Sequence, residues 1–319
     1  MSVLVHVDTD LGGDPDDVCA LAMLLGWPGV EVIGVTTCAD RSGLRAAYVE
    51  HCLDLLGRSG IPVAVGESGS LSHGELADPV VDTRYWPADV AARKQSPTGA
   101  TDLLSASVDA GAVLVAIGPY TNLAVLERRR PGTLPHARVV VMGGWVDPPA
   151  AGLPAWGPAR DYNVQWDVHA AREVFDSAAD LTLSTLPVSL KVPLRRRDLA
   201  ALREMGGMGE VVARQSEAHA EDSGKSALGP LHDALPDDLL NFHYDPLACA
   251  VAVGWPGAVV ESRHLRVAMD GSVLRMLDDE ERGRPVRVVV DADGTAFTHV
   301  WLAAVNRACA RARRGATSS

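Results

Sequence analysis

The stretch Val3-Leu4-Val5-His6-Val7-Asp8-Thr9-Asp10-Leu11-Gly12-Gly13-Asp14-Pro15-Asp16-Asp17 decides how this chain reads. Its apolar start, dense in valine, has the pattern of a buried strand. The strand runs into five aspartates within the ten residues from Asp8 to Asp17. Carboxylates this close repel one another at neutral pH, and a bound hard cation is the simplest way to keep such a cluster folded. Asp16 and Asp17 then open a helix whose apolar positions are Val18, Leu21, Ala22 and Leu25. Helix N-termini favour carboxylates, so simple capping is the competing explanation for Asp14 and Asp16.

Working outward, the same alternation of strand and helix repeats. Apolar strands are expected at Val3–Val7, Val30–Thr36, Pro62–Val65, Val113–Ile117, Arg138–Met142 and Leu181–Ser184. Helices are expected between them, at Val18–Leu25, Leu44–Leu56, Ala100–Asp109 and Thr121–Arg129. Strands that are apolar throughout belong to parallel sheets covered on both faces, so the fold class is α/β: an open, mainly parallel twisted sheet with helices on both faces. Ligands in such folds sit beyond the carboxyl ends of strands, where the aspartates fall. Leu265–Val290 reads as a strand or hairpin region, followed by an amphipathic helix from Thr298 to about Arg313. Two polar stretches, Gly69–Pro97 and Ala201–Pro236, read as excursions able to close over a site. One domain over residues 1–314 and a frayed tail at 315–319 are expected.

Bulk composition excludes several classes. The 319 residues are 47% hydrophobic, enough for a sizeable core. A net charge of −12 argues against a nucleic-acid partner, and the tracts Arg128–Arg130 and Arg195–Arg197 read as solvated ends of elements. The five cysteines, Cys19, Cys38, Cys52, Cys249 and Cys309, lack C-x-x-C spacing and read as reduced, buried thiols. With no basic leader and no span long enough to cross a bilayer, a cytoplasmic location away from membranes is expected.

Four further polar sites stand at expected strand ends or helix starts. They are Ile117-Gly118-Pro119-Tyr120-Thr121-Asn122-Leu123, Met142-Gly143-Gly144, Asp161-Tyr162-Asn163 and His243-Tyr244-Asp245-Pro246-Leu247-Ala248. Each alone is a weak signal; their combination and order are specific. Taken together with D-T-D-L-G-G-D-P-D-D-V-C-A-L at Asp8–Leu21, the chain resembles the inosine-uridine-preferring nucleoside hydrolase family from Val3 to the last helix. The opening motif is similar to the family's longer version, with two more residues before the acidic pair, which aligns Asp16 and Asp17 with that pair.

The resemblance implies a Rossmann-like nucleoside hydrolase fold, a Ca²⁺ cofactor, and hydrolysis of ribonucleosides to ribose and free base. It implies Asp10, Asp17 and Asp245 as side-chain ligands of the metal, and Ile117 through its carbonyl. It gives Asp10 the catalytic role of taking the proton of a metal-activated water. Asp16 and Asn163 would bind ribose hydroxyls, Asp161 the 5′ hydroxyl, and Met142 would pack on the sugar. A homodimer or homotetramer is implied as well. This sequence departs from the family in three places. Asp161 replaces the commoner Glu. After the second strand, Arg41 falls where Asn or Asp is common, with Asp40 beside it, so either Arg41 or, after a small backbone shift, Asp40 would face the ribose. Tyr244 occupies the place of a histidine that acts on the departing base, and His243 stands one residue too early. Tyr85, Trp86 and Trp156 are candidates for base stacking or a lid, with Lys225 and His232 further candidates.

Two alternatives have different discriminators. A haloacid-dehalogenase-type phosphohydrolase shares the start Val5-His6-Val7-Asp8-Thr9-Asp10 and would use Lys191, but Leu11-Gly12 is the wrong continuation. A non-catalytic nucleoside or ribose sensor would have been free to lose Asp10. Another N-riboside as substrate is a variant of the hydrolase reading.

Overall fold

The computed structural model describes residues 2–79, 81–94 and 99–316. The first half alternates as expected: β1 (Val3–Thr9), α1 (Asp16–Gly26), β2 (Val30–Thr37), α2 (Leu44–Leu55), β3 (Val63–Val65), α3 (Gly99–Asp109), β4 (Val113–Ala116), α4 (Thr121–Arg129) and β5 (Arg138–Met142). Then come α5 (Tyr162–Trp166), α6 (Val168–Ser177), β6 (Asp180–Ser184), α7 (Leu186–Ser189), β7 (Pro193–Arg195), α8 (Leu199–Met205) and α9 (Met208–Ser223). The chain finishes with β8 (Leu239–Phe242), α10 (Tyr244–Ala252), β9 (Ala258–Asp270), β10 (Val273–Asp278), β11 (Arg284–Ala292) and α11 (Gly294–Ala316). The last helix starts four residues before the expected Thr298 and takes in Gly315 and Ala316. The rest of the expected tail, 317–319, lies outside the described residues.

The main sheet has the order β10-β9-β11-β6-β5-β4-β1-β2-β3. From β3 to β11 neighbouring strands are parallel, whereas β9 runs antiparallel to β11 and to β10. Strand side chains alternate between two cores. Val113 and Val115 of β4 join the cluster under α1, α2, α10 and α11, while Leu114 and Ala116 join the one under α3, α4 and α6. Both faces of β4 are thus covered, which is why it reads as an unbroken apolar run.

His6 is the polar exception inside β1. A Cβ at Gly34 of β2 would lie 2.9 Å from its ring, so only glycine leaves room for the imidazole. His6 Nδ1 lies 2.8 Å from Ser107 Oγ and Nε2 lies 3.1 Å from Thr36 Oγ1. The Thr36 hydroxyl already donates to Asp8 Oδ1 at 2.5 Å, so Nε2 carries the proton and Nδ1 accepts from Ser107. Burial lowers the His6 pKa to about 3.

Among the described residues no helix is long and apolar enough to cross a membrane. All five cysteines are free and buried.

Candidate active site

The chain leaves β1 toward β2 on one side of the sheet and enters β4 on the other, so the loops after β1 and β4 part and leave a crevice. Asp10 follows β1, Ile117 follows β4 and Met142 ends β5. Helices α1 and α10 bring Asp16, Asp17 and Asp245 in their first turns. All six residues line one cavity of about 390 Å³, together with Asp161, Asn163 and Tyr244. The volume is of small-molecule size.

One carboxylate oxygen from each of Asp16, Asp17 and Asp245 lies within 4.8 Å of the others, and all three residues are buried. Burial raises all three carboxyls well above the usual range, and neighbouring carboxylates raise them further. The positive ends of two helix dipoles favour these anions without cancelling that repulsion. The donor set is all oxygen and rich in carboxylate, so the residues present fit a hard divalent cation such as Ca²⁺. Thr9 Oγ1 donates to Asp17 Oδ1 and fixes one of the three. Asp17 and Asp245, both expected as metal ligands, stand in this triad. Asp16, expected at the ribose, belongs to this compact triad, and Asp10 lines the same cavity outside it. Burial also raises the Asp10 carboxyl, opposed by the guanidinium of Arg45.

The Ile117 carbonyl accepts from Asn163 Nδ2 at 2.9 Å, and the same amide donates to Met142 O at 3.2 Å. Both partners are acceptors, which fixes the amide orientation, and a carbonyl's second lone pair leaves Ile117 able to meet a cation. Asp161 Oδ2 accepts from Gly144 N at 2.6 Å, and Oδ1 accepts from Val164 N at 3.3 Å, so this carboxylate also heads α5. Burial raises it to about 6. Gly118 has a steric role, since a Cβ there would lie 2.8 Å from both the main-chain nitrogen and Oδ1 of Asp10.

Arg45, Arg160 and Lys225 are the cations of the lining. Arg45, which sequence reasoning missed, donates through Nε to Ala39 O at 2.9 Å and through Nη1 to the carbonyls of Asp10 and Leu11. Its one local signal was a cation set in the apolar face Leu44-Arg45-Ala46-Ala47-Tyr48-Val49. Lys225, a candidate from sequence, places Nζ 2.6 Å from Asp14 Oδ2 and 2.7 Å from Asn241 Oδ1. Burial opposes ionisation of Asp14, but Lys225 and His219 outweigh it and hold that carboxyl far below the usual range.

Several expectations are corrected. Asp40 does not face the cavity, because its carboxylate accepts from Arg45 N, Ala46 N and Thr37 Oγ1 and so satisfies the start of α2. His243 is fully buried against Phe297 and Trp301, with ring centroids 5.4 and 4.3 Å away, and burial lowers its pKa to about 3. Trp86 does not reach the cavity; it stacks on Tyr48 at 4.2 Å and donates to Gly12 O at 3.2 Å. Tyr85 donates to Asp222 Oδ2 at 3.0 Å, so the described part of the first excursion packs on the second rather than over a ligand. Val80 and residues 95–97 of that excursion lie outside the described residues. Of the other candidates Trp156 lines the cavity and His232 does not. Lys191, the lysine a phosphohydrolase reading would use, pairs with Asp291 at 2.6 Å away from the cavity.

Comparison with known proteins points to one family. The family model for inosine-uridine preferring nucleoside hydrolase matches residues 5–299. The pyrimidine-specific ribonucleoside hydrolase RihA of Salmonella paratyphi C is 30% identical over 253 residues, covering 73% of this chain and 78% of that protein. In fold, the chain is similar to a plant nucleoside hydrolase, PpNRh1, at a TM-score of 0.79 and 24% identity over 96% of this chain and 99% of that one. It is also similar to a purine-preferring ribonucleoside hydrolase of Gardnerella vaginalis, at 0.78 and 22% over the same shares. With the acidic crevice at the carboxyl ends of β1 and β4 and the family model spanning nearly the whole chain, this protein belongs to the inosine-uridine preferring nucleoside hydrolases and is a nucleoside hydrolase.

Proposed function

We propose that the chain hydrolyses the N-glycosidic bond of ribonucleosides with Ca²⁺ held by Asp10, Asp17, Asp245 and the Ile117 carbonyl. The observation that carries this reading is the convergence of those four groups on one cavity at the sheet's switch point. A bound Ca²⁺ would supply positive charge to the carboxylates and lower the pKa of a nearby water.

Asp10 accepts the proton of the attacking water as its oxygen bonds to the anomeric carbon and the C–N bond breaks. Asp16, Asn163 and Asp161 hold ribose hydroxyls, and Met142 packs on the sugar, so that binding energy helps bring the ring toward the shape of the ribosyl cation. Buried free thiols support a reducing, cytoplasmic compartment, and the packing of α11 on α1 supports one domain over 1–314. Assembly as a homodimer or homotetramer completes the reading.

The test is ribose release from purine and pyrimidine ribonucleosides, with calcium and after chelation. The specificity in the name of RihA makes uridine and cytidine the first substrates to try. Calcium-dependent release supports the proposal. Nucleoside binding without release would identify a sensor instead.

A further inference from the structure

We infer that Lys225 is the group that receives the departing base, donating to a carbonyl oxygen on it and holding the negative charge it acquires as the C–N bond breaks. The inference rests on the hydrolase reading and adds to it a leaving-group partner and a base class: ribonucleosides of keto bases.

Lys225 follows Gly224, whose left-handed backbone ends α9, and it lines the cavity with a side chain only 17% exposed. The ammonium is fixed, not free to wander. Asp14 Oδ2 at 2.6 Å and Asn241 Oδ1 at 2.7 Å take two of its three N–H groups, and Asn241 Nδ2 in turn donates to Asp14 Oδ1. Its nitrogen also lies 4.9 Å from the centroid of the Tyr244 ring.

That ring begins an aromatic run. Tyr244 lies 5.6 Å from Phe242 and Phe242 lies 6.0 Å from Trp156, and both Tyr244 and Trp156 line the cavity. An aromatic wall with a fixed donor at its end suits a flat heterocycle, whereas the carboxylate wall suits a cation and sugar hydroxyls. Of the other cations of the lining, Arg45 is tied to main-chain carbonyls and Arg160 is exposed. Arg45 donates to the carbonyls of Ala39, Asp10 and Leu11, and exposed Arg160 lies over the Trp156 ring. His243 is turned into the core.

An ammonium offers donors and no acceptor, so it favours an oxo group over an amino group at the base edge it meets. In the reaction, water oxygen bonds to the anomeric carbon, Asp10 takes the water proton, and the C–N electron pair departs on the base. Lys225 keeps its own proton and stabilises that anion, which takes a proton from solvent after release.

The test compares uridine, inosine and adenosine with p-nitrophenyl riboside, whose phenolate leaves without assistance. Wild-type protein should cleave uridine and inosine better than adenosine. Lys225→Met should lower kcat/KM for uridine at least about a hundredfold, a loss many times larger than for p-nitrophenyl riboside. Lys225→Arg, which keeps charge and donors, should recover part of it. The affinity of free uracil, read by competition NMR, should weaken in Lys225→Met while that of ribose does not. Equal losses on uridine and p-nitrophenyl riboside would make Lys225 structural and overturn the inference alone. A wild-type protein inactive on all four substrates would overturn the hydrolase reading with it.

Discussion

Arg45 Nη1 donates to the main-chain carbonyl of Asp10, tying the first turn of α2 to the residue that follows β1. The guanidinium has no carboxylate partner of its own among its hydrogen bonds and is satisfied by carbonyls. It therefore places a buried positive charge beside the acidic cavity and favours the ionised form of Asp10. Arg45→Met should cost about 3 kcal/mol of stability and lower kcat by more than the stability loss explains. Denaturant midpoints and kcat measured on the same preparation check both. Unchanged turnover in a destabilised variant would leave Arg45 a purely structural role.

Asp10→Asn keeps the shape of the side chain and removes its basicity. Turnover should fall by about 10²–10⁴-fold, with the melting temperature nearly unchanged and nucleoside binding retained. Loss of the folded state would show instead that the carboxylate is structural.

Metal removal separates the acidic residues. Calorimetry should show Ca²⁺ binding to wild type, at least about tenfold weaker binding to Asp17→Asn and Asp245→Asn, and a raised KM with little change in Ca²⁺ affinity for Asp16→Asn. If Asp16→Asn loses the metal as well, the compact triad itself is the ligand set and the ribose contact must come from elsewhere.

The buried imidazole of His6 predicts a pH dependence with a definite sign. Its folded pKa of about 3 lies below the ordinary 6.5, so between these values the unfolded chain binds more protons and stability rises with pH. The slope is at most about 1.4 kcal/mol per pH unit. His6→Gln should flatten the wild-type curve between pH 4 and 6.5 by that amount, as read from urea midpoints across the range. Parallel curves would mean that His6 is not neutral in the folded protein.

Asp40 satisfies N–H groups of Arg45 and Ala46, both at 3.0 Å, in the opening turn of α2. Asp40→Ala should cost about 1–2 kcal/mol and leave KM within about twofold. A large rise in KM at unchanged stability would return Asp40 to the ribose.

What could be read in the sequence was what short-range pattern records. The central apolar strands are buried on both faces, so their composition alone identified them, and turn chemistry located the ends where ligands gather. Long-range partners left no such trace. Asp14 reads as a helix cap until Lys225 and Asn241, more than two hundred residues later, are seen to claim both its oxygens. Asp40 precedes α2 and Arg45 lies in its first turn, yet only the fold shows that the cation, and not the carboxylate, enters the cavity. Tyr85 and Trp86 looked like an aromatic lid because polar surroundings suggested mobility, whereas Tyr48 and Asp222 hold them in place.

The packing of the last helix on the first has a consequence for synthesis. Trp301 Nε1 donates to Cys19 O at 3.3 Å, and Arg307 Nε donates to Gly26 O at 2.9 Å, so α11 buttresses the helix that carries Asp16 and Asp17. Contacts separated by nearly the full chain length form late, because the intervening polypeptide must first be made and closed into a loop. A ribosome therefore releases almost the entire chain before the acidic crevice gains its support. Fragments ending before Trp301 should carry every carboxylate of the site and still lack its native rigidity.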